Sequence, residues 1–217
     1  MVARDVEEAG VTEPQVLEAL RAVPRHAFAD KALEFQAYGG HALPIGHGQT
    51  LSQPYIVGRM TELLALTGEE TVFEAGTGSG YQAAVLGLLA KTVYSVERLP
   101  ELARRANRLL SDLGLANILV AAGDAYHGWD RYAPFDRIII TAGCSAIPKP
   151  LLDQLADPGI LVAPVSADGE KQELIVVRRS AGVDTRIRAG ECRFVPFIAT
   201  EGPDADPERE SRASTSL

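Results

Sequence analysis

The sequence is poor in cysteine and histidine and contains no long hydrophobic run. Its two cysteines, Cys144 and Cys192, are too few for a disulfide framework in 217 residues. The cysteines and the four histidines show neither Cys-x-x-Cys nor His-x-x-x-His spacing, so we expect no metal site. No run approaches the roughly 18 apolar residues of a membrane span, and the N-terminus has no apolar signal region. We therefore expect a cytoplasmic protein that makes no membrane contact.

Positive charge is also scarce, since 21 Lys and Arg face 29 Asp and Glu, which gives a net charge of −8. Binding to a nucleic-acid backbone needs a basic face, so we expect no nucleic-acid partner. Five acids and two arginines place −3 of this charge in residues 201–217, which hold almost nothing apolar. We predict that these residues are a disordered acidic tail, that residues 1–12 are frayed, and that residues 13–200 form a single domain.

Apolar residues at helical spacing alternate with short β-prone runs along the domain. Helices are predicted over 13–23, 27–35, 53–67, 79–90, 101–113 and 150–155. Strands are predicted over 71–75, 92–96, 118–121, 135–141, 159–165 and 172–179, with a weaker run over 193–198. This order predicts an α/β fold with a doubly wound, mostly parallel sheet and an N-terminal helical extension. The consecutive strands near the C-terminus indicate an antiparallel edge. Residues 36–51 are rich in glycine and have no period, which is typical of a functional loop.

A glycine turn joins the first predicted strand of the sheet to a helix, with Gly76, Gly78 and Gly80 at alternate positions. Such turns bring backbone amides against a nucleotide-like ligand because glycine has no Cβ and adopts positive φ. The Gly-x-Gly-x-Gly spacing is one residue short of the dinucleotide fingerprint and looks more like an S-adenosylmethionine site. A plain tight turn is the alternative interpretation.

Acidic residues stand at the ends of three successive predicted strands, where open α/β sheets bind their ligands. Glu97 lies 21 residues after Gly76, the separation at which a carboxylate takes the two ribose hydroxyls of a nucleoside. Asp124 is a candidate acceptor for the exocyclic amine of adenine. Glu74 is either a third cofactor-binding residue or an acceptor for the turn's own amides.

Several longer motifs resemble the protein-L-isoaspartate O-methyltransferase family over residues 13–198. The specific one is Ala-Leu-Pro-Ile-Gly-His-Gly-Gln-Thr-Leu-Ser-Gln-Pro-Tyr-Ile-Val over 42–57, because the glycine turn alone is common to many methyltransferases. The other matching segments are 74–85, 94–98, 123–129, 133–142 and 195–197. The fold implied is the Rossmann-like fold of S-adenosylmethionine-dependent methyltransferases.

The resemblance implies a protein-repair enzyme that acts on damaged proteins and peptides as its partners. Such an enzyme methylates the free carboxylate of L-isoaspartyl residues with S-adenosyl-L-methionine and releases S-adenosyl-L-homocysteine. The ester then closes to a succinimide, and hydrolysis of the succinimide returns some normal aspartyl linkages. We expect a monomer.

The resemblance also assigns roles to individual residues. Ser52 matches the catalytic serine of the family, although a serine before a Pro-containing first turn is also a candidate helix N-cap. The matching cofactor-binding positions are Gln49, Thr50, Asp124, Ala125 and, late in the chain, Gln172. Together with the residues argued from the strand ends, the predicted cofactor site contains Gln49, Thr50, Glu74, Gly76, Gly78, Glu97, Asp124, Ala125 and Gln172.

Three segments depart from the family pattern, and they bear on the substrate more than on methyl transfer. Gly39 and Gly40 stand where the family often has an aspartate, Ala125 replaces a glycine, and the segment 141–148 around Cys144 is atypical. A methyl group at Ala125 would strain a turn that needs positive φ. Two alternatives stay open: a related carboxyl methyltransferase with a different peptide substrate, and a cofactor-binding homologue without repair activity. A nicotinamide dehydrogenase is disfavoured by the glycine spacing.

Overall fold

The computed structural model describes residues 1–166 and 171–206. Five α-helices and nine β-strands follow one another along this part of the chain. The helices are α1 (Pro14–Ala22), α2 (Pro54–Leu63), α3 (Tyr81–Gly87), α4 (Pro100–Asp112) and α5 (Lys149–Asp153). The strands are β1 (Leu43–Gly46), β2 (Gln49–Leu51), β3 (Thr71–Ala75), β4 (Thr92–Glu97), β5 (Ile118–Ala122), β6 (Phe135–Ile140), β7 (Leu155–Val165), β8 (Gln172–Ser180) and β9 (Val183–Cys192).

The central sheet has seven strands in the order β5-β4-β3-β6-β7-β8-β9. The pairs from β5 to β7 are parallel, whereas β7–β8 and β8–β9 are antiparallel. This confirms the predicted mostly parallel sheet with an antiparallel edge. After β3 the chain adds β4 and β5 on one side and then crosses to add β6 on the other. The reversal leaves a crevice beyond the carboxyl end of β3, which is where such folds bind ligands.

Both faces of β3, β4 and β6 are largely buried, which explains why these strands are rich in apolar residues, whereas the edge strand β5 is partly exposed. Neighbouring residues of β3 point to opposite faces: Val72 belongs to the core shared with α1, α2 and α3, and Phe73 belongs to the core on the other side. Phe73 and Phe135 stack there with ring centroids 5.0 Å apart. The central strands are therefore held between two apolar layers, and this packing fixes the strand ends that border the crevice.

The N-terminus differs from the prediction, because it is folded. Residues Val2–Glu7 form a single π-helical turn with Val2 and Val6 buried. A Cβ at Gly58 would lie 2.9 Å from Val6, so the glycine lets this turn pack closely on α2. The predicted helix over 27–35 consists of two 3₁₀ turns, Arg25–Phe28 and Lys31–Gln36.

The C-terminal region differs in two ways. The predicted weak strand over 193–198 is irregular, and the last strand of the sheet is instead β9, whose side chains are almost all exposed. Described structure also continues past residue 200, since Asp204 accepts hydrogen bonds from the Ser145 amide. The predicted disorder of 207–217 lies outside the described residues. Within the described ranges, no helix combines the length and the apolar character that crossing a bilayer needs.

Candidate active site

The glycine turn follows β3 directly and adopts the backbone that its sequence predicts. Gly76, Gly78 and Gly80 have φ values of +100°, +54° and +89°, which favour glycine. A Cβ at Gly76 would lie 2.5 Å from the Thr141 hydroxyl at the end of β6, so no larger residue fits. The turn is tied to the next strand because the Gly76 amide donates to the Val96 carbonyl at 2.9 Å.

Glu97 ends β4 beside this turn and is only 7% exposed. One carboxylate oxygen accepts the Gly78 amide at 2.8 Å, and the other accepts the Leu99 amide at 2.9 Å. The carboxylate is thus fixed at the crevice, with lone pairs left for further donors.

A cleft of about 660 Å³ opens over the turn. A second hollow of about 450 Å³ adjoins it, and both are bordered by Gln49, Gly76, Glu97 and Ala142. The first cleft is lined on its mixed polar and apolar wall by Thr50, Ser52, Met60, Gly78, Tyr81, Thr141 and Phe194. The second is lined mainly by apolar groups: Val96, Leu99, Ala125, Pro196, Phe197 and Ile198. The two adjoining hollows therefore offer a ligand one partly polar site and one mainly apolar site.

The segment that looked like an aperiodic loop contains the hairpin of β1 and β2, which covers the glycine turn. At its tip Gly46, His47 and Gly48 all have positive φ, which accounts for the glycine content. Ile45 reaches to 3.7 Å from the place of a Cβ on Gly78. The His47 Nε2 lies 3.1 Å from a carboxylate oxygen of Glu101 on α4. The hairpin thereby brings Gln49 and Thr50 against the cleft.

Ser52 lines the cleft just before α2. The structure contradicts the N-cap interpretation: the N-cap position is Gln53, with Pro54 in the first turn and no side-chain cap. In the described part of the chain the Ser52 hydroxyl has no hydrogen-bond partner, whereas its carbonyl accepts a hydrogen bond from Arg25 at 2.6 Å. The hydroxyl is therefore free to donate to a ligand.

Glu74 does not line the cleft, because its side chain points into the interior below the turn. It is fully buried and accepts a hydrogen bond from Ser95, whose hydroxyl is also bonded to that of Thr77. The other Glu74 oxygen has no partner among the described residues. Burial raises the pKa of Glu74 to about 8, so it is mostly protonated at neutral pH. It bonds neither to the turn's amides nor to the cleft.

Ala125 borders the second hollow, whereas Asp124, the residue before it, lines neither the cleft nor the hollow. One Asp124 oxygen accepts the Tyr126 amide at 2.9 Å, and the other accepts the amide and the hydroxyl of Thr200 at 2.7 and 2.6 Å. Ala125 borders the hollow at the start of a 3₁₀ turn and is not among the residues of positive φ. The alanine therefore introduces no strain.

Gln172 does not line the cleft but is bonded to a residue that does. Its amide group donates to the Phe194 carbonyl at 3.1 Å and accepts from the Phe194 amide at 2.6 Å. Phe194 in turn lines the cleft. Gln172 therefore holds the backbone of a residue in the cleft wall and does not line the cleft itself.

Residues that the sequence did not single out also shape the site. Thr141 has a signal in the sequence, because it is the last residue of a predicted strand; its hydroxyl donates to the Ala75 carbonyl at 2.9 Å. Arg25, which is completely buried behind Ser52, has no such signal in the sequence.

In the atypical segment over 141–148, Cys144 is buried and its thiol donates to the Pro164 carbonyl. Burial raises the pKa of the Cys144 thiol to about 12, so it is not a nucleophile.

The family model and the similar proteins all indicate the same family. The model of the family described as protein-L-isoaspartate(D-aspartate) O-methyltransferase matches residues 1–202. The chain is 50% identical over 202 residues to protein-L-isoaspartate O-methyltransferase 1 of Syntrophobacter fumaroxidans, covering 93% of this chain and 94% of that protein. It is 52% identical over 190 residues to the protein-L-isoaspartate O-methyltransferase of Halorhodospira halophila, covering 87% and 86%.

Solved structures agree with the fold. A protein-L-isoaspartate O-methyltransferase superposes with a TM-score of 0.79 at 25% identity, over 88% of this chain and 62% of that one. A Plasmodium falciparum protein crystallised with S-adenosyl-L-homocysteine superposes with the same TM-score at 20% identity, over 90% and 96%. At that identity the second likeness concerns the fold alone.

Proposed function

The chain belongs to the protein-L-isoaspartate(D-aspartate) O-methyltransferase family, and from this premise we propose how its residues carry out methyl transfer to L-isoaspartyl carboxylates in damaged proteins. The observation that carries the proposal is the meeting, in one cleft, of the glycine turn, the Glu97 carboxylate and the free Ser52 hydroxyl. The turn and Glu97 serve the methyl donor, and Ser52 serves the acceptor.

The donor set fits S-adenosylmethionine. Glu97 would accept the ribose hydroxyls next to the backbone of Gly76 and Gly78, where no Cβ intervenes. The apolar hollow beside Leu99 and Ala125 would take the adenine ring. Gln49 and Thr50 would cover the bound cofactor from the hairpin side.

Asp124 would serve the adenine amine, and its present partners leave room for this. A carboxylate has about four acceptor positions, and three donors already bind here. One further donor can therefore approach without displacing Thr200. Glu74 and Gln172 act behind the site: Glu74 supports the Ser95–Thr77 pair below the turn, and Gln172 holds Phe194.

The chemistry requires positioning more than acid–base catalysis. S-adenosylmethionine, when bound, supplies a methyl group that its sulfonium already activates. The isoaspartyl carboxylate is ionised at neutral pH and is itself the nucleophile, so the chain needs no general base. The task of the protein is to align the two groups and to keep water out.

Ser52 would donate its hydroxyl hydrogen to one oxygen of the substrate carboxylate. This bond fixes the carboxylate while the second oxygen points to the methyl group. Because the hydroxyl makes no internal hydrogen bond in the described chain, no existing bond has to break when the substrate arrives.

Gly39 and Gly40, where the family often has an aspartate, line neither the cleft nor the second hollow. The Asp5 side chain of the N-terminal turn lies against Gly40, about 3.1 Å from the position of a Cβ there. It is paired with Arg4 at 2.7 Å. The exposed ion pair adds no net charge to this loop, so the departure at these glycines gives no reason to prefer another substrate. Membership of the family is what favours L-isoaspartyl peptides over another carboxylate.

The direct test uses two peptides that differ only in one linkage. The protein is incubated with tritiated S-adenosylmethionine and either an isoaspartyl peptide or its aspartyl twin. We expect base-labile label in the isoaspartyl peptide alone. Equal labelling of both peptides would favour a broader carboxyl methyltransferase, and labelling of neither would overturn the repair activity. We also propose that the active species is a monomer, to be checked by light scattering during size-exclusion chromatography.

A further inference from the structure

Arg25 is a completely buried guanidinium that has no carboxylate partner among the described residues. It opens the 3₁₀ turn Arg25–Phe28. Its Nε donates to the Ala37 carbonyl at 2.8 Å, and its Nη2 donates to the Ser52 carbonyl at 2.6 Å. Its Nη1 makes no hydrogen bond to any residue that the structure describes. Burying a cation without a counter-ion is expensive, so these contacts call for an explanation beyond general stability.

The same guanidinium also contacts the helix that leaves the glycine turn. Its central carbon lies 4.8 Å from the ring centroid of Tyr81, which is buried and is the first residue of α3. Tyr81 directly follows Gly80. One planar group therefore joins the loop at Ala37, the backbone of Ser52 and the start of α3.

We propose that Arg25 is a positioning residue for methyl transfer. Its fork of donors fixes the Ser52 backbone at a set distance from the glycine turn, so that the hydroxyl meets the substrate carboxylate in line with the methyl donor. This inference rests on the proposed function. It assigns the effect to geometry, because only a planar guanidinium can bind two carbonyls while lying over a ring.

A role through charge makes a different prediction. Lysine keeps the positive charge but has a compact ammonium without the planar fork. If the cation acted only through its field on an anionic substrate, Arg25→Lys would keep most of the activity. If the fork matters, Arg25→Lys loses activity as a neutral residue would.

The experiment is a double-mutant cycle between Arg25→Lys and Ser52→Ala, assayed with the isoaspartyl peptide. In the wild-type background Arg25→Lys should lower kcat by about ten- to a hundredfold, the size of effect that a misplacement of about 1 Å produces. The affinity for S-adenosylhomocysteine, measured by calorimetry, should change by less than about twofold. In the Ser52→Ala background the same substitution should lower kcat by less than about threefold, because the group that it positions is gone.

A matched control and a second variant complete the test. Arg21→Lys alters an exposed arginine of α1, paired with Glu7 at 3.0 Å, and should leave kcat unchanged. Should Arg25→Lys fail to fold, Tyr81→Leu removes the ring under the guanidinium and should show the same dependence on Ser52. Equal factors in both backgrounds, or an unchanged kcat, would overturn the inference. A wild-type protein that does not label the isoaspartyl peptide would instead overturn the proposed function.

Discussion

The Ser52 hydroxyl makes no internal hydrogen bond in the described chain, and this allows its role in activity to be separated from stability. Ser52→Ala should lower kcat by about ten- to a hundredfold through loss of one hydrogen bond to the reacting carboxylate. The affinity for S-adenosylhomocysteine should be unchanged. The free energy of unfolding should change by less than about 0.5 kcal/mol, because no cap is lost.

Steady-state kinetics, calorimetry and urea unfolding of the same preparation give these three quantities. Ser111→Ala, on the exposed side of α4, is the control. Full activity combined with a loss of about 1 kcal/mol in stability would show that Ser52 is a helix cap after all.

Glu74 gives a pH-dependent prediction. Its folded pKa is about 8 against an ordinary value of 4.5, so the folded state keeps a proton that the unfolded state releases between these values. The free energy of unfolding therefore loses a contribution as pH rises through this window. Glutamine has no proton to lose. Relative to wild type, the free energy of unfolding of Glu74→Gln should therefore rise by about 1 kcal/mol or more from pH 5 to pH 8.

Unfolding in guanidinium chloride at pH 5, 6.5 and 8 measures this difference. Glu69→Gln, at an exposed position just before β3, is the control and should show a much smaller change. A constant difference between Glu74→Gln and wild type across the range would mean that Glu74 is ionised inside the protein.

At the scale of elements, α2 carries Ser52 before its first turn and is anchored at its other end by Arg137 of β6. The guanidinium donates to the Leu64 and Ala65 carbonyls at 2.6 and 3.2 Å and to the Glu70 carboxylate at 3.3 Å. Arg137→Met should reduce the free energy of unfolding by about 2–4 kcal/mol, since the two carbonyls just after α2 lose this donor and the buried Glu70 carboxylate loses its ion pair. Glu70 keeps its hydrogen bonds from Thr67 and Gly68. Urea unfolding measures this. Lys149→Met, which breaks an exposed pair on α5, should cost less than about 0.5 kcal/mol; equal losses would refute the anchor.

The elements differ in how much of them the sequence could predict. Strands β3 to β6 were predicted to within one or two residues, because each is a short run rich in apolar, β-prone residues, and β3, β4 and β5 end at an acid or next to a glycine. The β1–β2 hairpin was missed, since its tip Gly46–Gly48 has the composition of a loop. Strand β9 was missed because an exposed edge strand needs no apolar face and is charged instead. Two valines, Val2 and Val6, were too few to predict that the N-terminus packs.

For the site, the rule that strand ends meet at one edge was enough to bring Gly76, Gly78 and Glu97 together. It could not tell which end residues point outward. Glu74 precedes the turn by two residues and faces the interior, and Gln172 acts through Phe194. The role of Arg25 could not be predicted, because nothing in the neighbouring sequence distinguishes a buried arginine from a solvated one.

For the whole molecule, the family and the cleft predict selective stabilisation by ligand. S-adenosylhomocysteine at about 100 times its Kd should add about 2.7 kcal/mol to the free energy of unfolding. In a protein of this size that raises the thermal midpoint by about 5–10 °C. NAD at the same concentration should have no effect, because the glycine turn is one residue short of the dinucleotide fingerprint.

Differential scanning fluorimetry is sufficient for this comparison. In Glu97→Ala the shift should be lost or much reduced, whereas Asp112→Ala, at the exposed end of α4, should retain most of it. A shift with NAD, or a full shift in Glu97→Ala, would place the ligand elsewhere.

The hairpin that covers the glycine turn has a kinetic consequence. It carries Gln49 and Thr50, runs directly into Ser52, and is linked to α4 by His47 and Glu101. The wall proposed to cover the cofactor is therefore continuous with the wall proposed to hold the peptide. Opening it for the nucleoside also dismantles the peptide side, so we expect turnover to be sequential, with the methylated peptide leaving before S-adenosylhomocysteine. Product-inhibition patterns would reveal this order. The hairpin would then determine the order in which the two products leave in each catalytic cycle.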